Sequence, residues 1–254
     1  MIQNSDSEAS RMEEKPIAYE AYQKLASHYA AGIDTKPHNA YYDRPTMVGL
    51  WPDVNGLKVL DVGCGPGVYS QLLLERGAKV TAIDVSERML EFARERLGDL
   101  VSLLQVNIEM PLVMFADCEF DFLNAPLCLD YVQDWRKLFQ EFHRILARGG
   151  SVQFSCGHPA FDAEYYDTTS YFSVEQVECE WTGFGIPVVM PSYRRSLEEI
   201  LMPPIEAGFS LKQIVEPLPN DDFRTADPIR YSQLLHRPAF LCVQAVKTTI
   251  AGNS

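Results

Sequence analysis

The sequence predicts an α/β fold: an open, mostly parallel sheet of seven strands with helices on both faces. Three observations carry this. From residue 57 to residue 156, short apolar runs alternate with stretches whose apolar residues recur at helical spacing. The first run passes straight into glycines, in VLDVGCGPGVYS at 59–70. The second, VTAIDVS at 80–86, ends on an acid. A strand that closes on a glycine turn, beside a strand that closes on an aspartate, is how a nucleotide-binding βαβ unit begins.

The elements follow in order. Tyr22, Leu25, Ala26 and Tyr29 predict a helix over 18–31. A polar aromatic loop, TKPHNAYYDRP, leads to a short helix at 46–50, and Pro52, Asn55 and Gly56 turn the chain into the first strand at 57–62. A helix at 69–76 stops at Gly77 and a strand fills 79–83. Ser86 suits the N-cap of a helix with Met89, Leu90, Ala93 and Leu97 on one face and Gly98 at its end. Strands are expected at 101–106 and 120–124. Asp134 caps a helix with Leu138, Phe139, Phe142, Ile145 and Leu146 inward, expected to end at Arg148-Gly149-Gly150, and 151–155 is the fifth strand.

The alternation then breaks. Residues 157–195 are rich in aromatics, prolines and acids without a long periodic element, and read as an inserted lid. A helix at 196–207, interrupted by Pro203-Pro204, precedes the last strands at 209–216 and 239–246. The expected organisation is a disordered tail over 1–15 and a single domain over 16–254. That domain divides into an amino-terminal helical cap (16–56), a ligand-binding core (57–156), the lid (157–195) and the carboxyl-terminal part of the sheet (196–248).

Composition narrows the partners. A net charge of −13 on 254 residues leaves no electrostatic footprint for phosphate backbones or anionic membranes. The amino terminus has no apolar segment of a signal peptide, and no apolar run reaches membrane-spanning length of ~20 residues. The six cysteines, 64, 118, 128, 156, 179 and 242, form no C-x-x-C pair and no histidine cluster joins them. They read as buried free thiols of a reducing, cytoplasmic compartment rather than metal ligands or disulfides.

The glycines at 63, 65 and 67 are spaced G-x-G-x-G; a dinucleotide fingerprint needs the third one place later, where Val68 stands. Asp61, just before the turn, would repel a pyrophosphate and suit a ligand bearing an ammonium group. Asp84 is placed to accept from both hydroxyls of a ribose.

VLDVGCGPG with VTAIDVSERML resembles the class I S-adenosylmethionine-dependent methyltransferases, and FDFLNAPLCLDYVQDW and FHRILARGGSVQFS resemble that family's fourth- and fifth-strand segments. HP at 158–159, YRRSL at 193–197 and EAGF at 206–209 point to a small-molecule, methyltransferase type 11-like subgroup. The resemblance implies a Rossmann-like sheet and S-adenosylmethionine as cofactor, with S-adenosylhomocysteine as product. It implies that Asp61, Gly63, Gly65 and Gly67 border the cofactor's amino-acid end, that Asp84 and Val85 meet the ribose, and that Asn107 and Ile108 meet the adenine. Asn124 would lie under the methyl group. The family often has aspartate at Asn107 and histidine at Asp130, so a base role carried by that histidine does not transfer directly.

On the acceptor side, methyl transfer needs alignment and dehydration, and a base only if the acceptor carries a proton of high pKa. His158, directly after the fifth strand, is the candidate base or substrate contact, or else a turn residue before Pro159. Asp130, the second catalytic candidate, and Tyr131 lie on a loop over the same sheet edge, or else on an ordinary loop leading to the Asp134 cap. Tyr29 and Arg44 are placed to face the cofactor, through cation–π contact and its carboxylate. Tyr41, Tyr42, Tyr131, Tyr171, Trp181 and Arg194 are candidate acceptor contacts. Asn124-Ala125-Pro126-Leu127 lacks the second proline and the stacking aromatic of the N-P-P-Y motif of nucleic-acid amino methyltransferases. The expected function is methyl transfer to a small organic molecule. The rivals are a nucleic-acid or protein methyltransferase, a nicotinamide-dependent oxidoreductase, for which no Y-x-x-x-K occurs, and a cofactor-binding protein without catalysis.

Overall fold

A computed structural model describes residues 15–248. The expected tail, all but Lys15, lies outside the described residues. The chain opens with α1 (Tyr19–Gly32), a π-helical turn (Asn39–Asp43) and α2 (Arg44–Gly49). The expected aromatic loop is therefore mostly helical: Pro45, in the first turn of α2, lacks only an amide donor that a helix start leaves unused.

Strand and helix then alternate through β1 (Lys58–Val62), α3 (Val68–Glu75), β2 (Lys79–Asp84), α4 (Glu87–Leu97), β3 (Ser102–Gln105), β4 (Phe120–Pro126), α5 (Trp135–Ile145) and β5 (Leu146–Gly157). Ser86 and Asp134 cap α4 and α5, their side chains accepting from the amides of Met89 and Lys137. The lid contains α6 (Pro159–Tyr165), β6 (Glu175–Trp181) and β7 (Val188–Arg194). The chain ends with α7 (Leu197–Glu206), β8 (Phe209–Val215), α8 (Asp221–Ala226), α9 (Pro228–Leu234) and β9 (Phe240–Lys247).

The seven-stranded sheet runs β3-β2-β1-β4-β5-β9-β8. Its first five strands are parallel and its last two pair antiparallel. Strand order reverses between β1 and β4, so their carboxyl ends frame the crevice where such sheets bind ligands. The larger core lies on the α5 side. There Phe139 packs its ring against Trp135, Phe154 and Phe209. Among the described residues no helix is long and apolar enough to cross a membrane.

Four expectations change. α5 ends at Ile145, and Arg148-Gly149-Gly150 belongs to β5, where a Cβ on Gly150 would come within 2.9 Å of two backbone oxygens. α7 runs on through Pro203 and Pro204, with Ile200 and Leu201 before them and Ala207 after them packed against the α5 core. The inserted region is ordered as a helix and an antiparallel hairpin. Cys118 is exposed, with φ of +58°, and Cys128 and Cys179 are half-buried, so only Cys64, Cys156 and Cys242 are buried.

The hairpin of β6 and β7 folds back over α1. Val188 and Met190 bury against Ala18, Ala21 and Leu25, and Trp181 and Phe184 join the same cluster. Cap and lid thus form one roof over the carboxyl edge of the sheet.

Candidate active site

Under that roof is a cavity of about 560 Å³. Its floor is the glycine turn after β1. Gly63 and Gly65 both have positive φ, +64° and +53°, which an L side chain adopts only under strain. Gly63 also has no room: an added Cβ would sit 2.4 Å from the Cβ of Cys128. The β4–α5 loop therefore packs directly on the turn. Asp84, at the end of β2, accepts from the Gly65 amide at 2.9 Å and the Ser86 amide at 2.8 Å. These bonds fix its carboxylate at the cavity wall, where burial raises its pKa.

Val85, Asn107 and Ile108 continue the wall past β2 and β3. Asn107 already accepts from the Glu109 amide through Oδ1 at 3.0 Å, leaving that oxygen one further lone pair. From the cap come Tyr29 and Arg44. The Arg44 terminal nitrogens donate to the carbonyls of Ile33 and Asp34, while its Nε is buried without a partner. Asp130, Tyr131 and Trp181 line the far side.

Other expected contacts lie elsewhere. Asp61 is fully buried beneath the turn. Its carboxylate accepts from Ser70 Oγ at 2.6 Å and Asn124 Nδ2 at 2.9 Å, and Asn124 Oδ1 in turn accepts from Trp51 Nε1. Asp61 and Asn124 therefore brace β1, α3 and β4 from below and do not line the cavity. Gly67 faces Leu97 of α4, 2.8 Å from where its Cβ would be. His158 caps α6: Nδ1 accepts from the Ala160 amide and Nε2 bonds Glu216 at 2.9 Å. Both ring nitrogens are engaged outside the cavity, so the structure offers His158 neither as base nor as acceptor contact. Tyr42 is buried with its hydroxyl accepting from the Ala239 amide, and Tyr41 packs with it against the Phe223 cluster. Arg194 is buried in the lid on Glu175 and the carbonyls of Tyr171 and Ser170. The Tyr171 hydroxyl accepts from the Leu197 amide.

The cavity also holds residues the sequence reading missed. Tyr22 lies on its wall, bonded to the Tyr131 hydroxyl at 2.8 Å. Phe184 closes the roof, stacked on Tyr29 at 4.9 Å. His38 is pushed down to about 4 by burial first, and is neutral at ordinary pH. Asp162 of α6 shares the wall with Asp130. Burial, then the charge of Asp130, pushes its carboxyl up to about 8, against the opposing pull of Arg194. Burial pushes Asp130 up to about 6, opposed by the Gly157 amide and Arg195. The signal for Asp162 was present: His158 as N-cap with Pro159 in the first turn marks a helix start. Among the described residues no three or more His, Cys, Asp or Glu are grouped to hold a metal ion.

Residues 60–154 match the family described as methyltransferase domain. An uncharacterised Haemophilus influenzae protein is 29% identical, over 92% of this chain and 96% of its own length. The malonyl-[acyl-carrier protein] O-methyltransferase of Salmonella typhimurium is 33% identical over 53% of this chain, which spans about half (51%) of that relative. A solved structure assigned as an S-adenosylmethionine dependent methyltransferase of Listeria monocytogenes superposes with a TM-score of 0.71 at 26% identity, over 88% of this chain and 100% of that one. One from Mesorhizobium loti superposes with 0.67 at 27% identity, over 85% and 100%. The glycine turn, the Asp84 bracket, the strand order and these likenesses agree, and the chain belongs to the class I S-adenosylmethionine-dependent methyltransferases of the type 11 group.

Proposed function

We propose that this protein transfers the methyl group of S-adenosylmethionine to a small organic molecule held between cap and lid. The observation that carries the reading is one continuous cavity that joins the glycine turn and Asp84 to an aromatic, acid-bearing lobe. The residues present fit the cofactor. The buried, unpartnered Nε of Arg44 is an empty donor that a carboxylate would satisfy. Asp84, held by two amides, presents a carboxylate to ribose hydroxyls, and Asn107 and Ile108 would flank the adenine.

When bound, the cofactor supplies an electrophilic methyl group on a sulfonium. The chain aligns and dehydrates. Gly63 and Gly65 let the backbone approach closely. Tyr29, Tyr22 and Trp181 exclude water from the roof side. A small acceptor also agrees with the net charge of −13.

The test is thermal. S-adenosylmethionine and S-adenosylhomocysteine should raise the melting temperature, by stabilisation of ~2.7 kcal/mol at a hundredfold excess over Kd. NAD should not. A shift with NAD and none with the other two would refute the reading.

A further inference from the structure

The acceptor lobe has a chemistry of its own, and its role as an acceptor site rests on the methyltransferase reading of the cavity. Asp130 and Asp162 bracket a single residue, Gly157, at the carboxyl end of β5. The Gly157 amide donates to Asp130 Oδ2 at 3.0 Å, and a Cβ on Gly157 would lie 2.4 Å from Asp162 Oδ2. Gly157 is not among the positive-φ glycines, so the space taken by the Asp162 carboxyl accounts for the missing side chain. Asp130 follows Cys128, which packs on Gly63, so the acids stand next to the cofactor's turn.

Neither carboxylate has an ion-pair partner among the described residues. The nearest cations act on them only from a distance, Arg195 on Asp130 and Arg194 on Asp162, without pairing with either. Arg194 serves Glu175 and two carbonyls, and Arg195 serves the carbonyls of Tyr193, Val132 and Gln133 while lying 4.6 Å over the Trp135 ring. Lys36, Arg44 and Arg230 line the cavity from the cap and α9. They are bonded to Gly183, to the carbonyls of Ile33 and Asp34, and to Gln233. Two close carboxyls in such a site cannot both ionise unless a cation joins them. Tyr131, Tyr166, Trp181 and Phe161 share the lobe, and aromatic faces attract the same kind of guest.

We propose that the methyl acceptor is an amine, bound as its ammonium ion by Asp130 and Asp162 within these aromatic walls. A carboxylate acceptor would meet repulsion at the same place. Before transfer, one N–H bond breaks and its proton passes to the carboxyl pair, forming an O–H bond. The freed nitrogen lone pair bonds the methyl carbon that the cofactor supplies, and the electron pair of the broken carbon–sulfur bond stays on sulfur. The product is an N-methylammonium ion, and the pair returns its proton to water.

The test uses the full chain saturated with S-adenosylhomocysteine. Methylamine and benzylamine are compared with acetate, phenylacetate and benzyl alcohol by calorimetry and NMR titration near neutral pH. Wild type should prefer benzylamine over both matched probes by about tenfold, or ~1.4 kcal/mol. Asp130→Asn and Asp162→Asn should each erase the preference while changing S-adenosylhomocysteine affinity by less than about twofold. Equal or tighter binding of phenylacetate overturns the proposal, as does a preference that survives both variants. So does a failure of methylamine, small enough for any part of the cavity, to bind at millimolar concentration. Loss of S-adenosylhomocysteine affinity in both variants would assign the acids to the cofactor instead. If wild type fails to bind S-adenosylhomocysteine at all, it is the methyltransferase reading that falls.

Discussion

An alanine at Gly63 would meet two costs at once, a φ of +64° and the Cβ of Cys128 at 2.4 Å. Gly56, with φ of +77° and nothing within 4 Å of its missing Cβ, meets only the first. Strained backbone costs ~1–3 kcal/mol. Gly56→Ala should therefore lower unfolding free energy by that much and leave cofactor affinity alone. Gly63→Ala should cost more and weaken S-adenosylhomocysteine at least tenfold, ~1.4 kcal/mol. Denaturant melts and calorimetry on the two variants decide it, and equal effects would mean that the turn is not packed as described.

Asp162 gives a second measurement at the same scale. Folded, its carboxyl keeps a proton up to about pH 8, whereas an unfolded aspartate loses it near ~3.9. The folded state binds more protons in between, so the contribution of Asp162 to stability is present in acid and lost as pH rises toward 8. Asp43, Asp61 and Asp130, raised to about 6, add the same trend only at lower pH. Asp162→Asn is neutral throughout. Its melting temperature should fall less than that of wild type between pH 6 and 8, and parallel curves would remove Asp162 from the interior. Side chains at or past the carboxyl ends of strands were legible as a group: Asp84, Asp130 and Tyr131 all stand on the cavity wall. His158 misled because its position past β5 says nothing of its ring, which Pro159 and Glu216 turn to capping. Asp61 misled because an acid beside a glycine turn can face down as well as up.

Among elements, α5 and α4 separate burial from capping. Phe139 touches four aromatic rings in the core, so Phe139→Ala should cost ~3–5 kcal/mol. Ser86→Ala removes one cap bond, 3.2 Å to the Met89 amide, and should cost ~1 kcal/mol. A Phe139→Ala loss no larger than the cap's would contradict the packing. Helices with an apolar stripe and buried parallel strands were readable because one face, or both, must be apolar. The lid hairpin was not. β6 reads EQVECEW, with Gln176, Glu178 and Glu180 exposed between half-buried residues, and β7 carries Pro191. Acids on the outer face and a proline mask a period of two that only the cap's presence makes stable. α6, and Asp162 with it, was not masked in this way: its start signal at His158-Pro159 was there to be read.

At the level of the whole molecule, the roof is what deepens a crevice at the sheet edge into a cavity. The lid meets the cap through the Val188 and Met190 cluster and, at the cavity, through Phe184. Phe184 stacks on Tyr29 at 4.9 Å and on Trp181 at 6.0 Å, and Lys36 lies 4.8 Å over its ring while donating to the Gly183 carbonyl at 2.7 Å. Aromatic pairs contribute ~0.5–1.5 kcal/mol each and an exposed cation–π contact ~0.5–1. The Tyr29 and Lys36 contacts exist only while lid and cap are together, so they add to the barrier for opening rather than to the stability of the sheet below. Phe184→Ala should remove ~1–2 kcal/mol of that barrier and speed release of S-adenosylhomocysteine by roughly tenfold or more. Its unfolding midpoint in the absence of ligand should fall by much less than that of Phe139→Ala, since Phe184 lies outside the main core. Phe172→Ala is the control, because Phe172 sits on the same inserted segment but is 77% exposed and outside the cavity wall. It should leave release unchanged. Stopped-flow displacement of S-adenosylhomocysteine measures all three chains. An unaltered rate in Phe184→Ala would mean that the cofactor leaves by a path the lid does not cover.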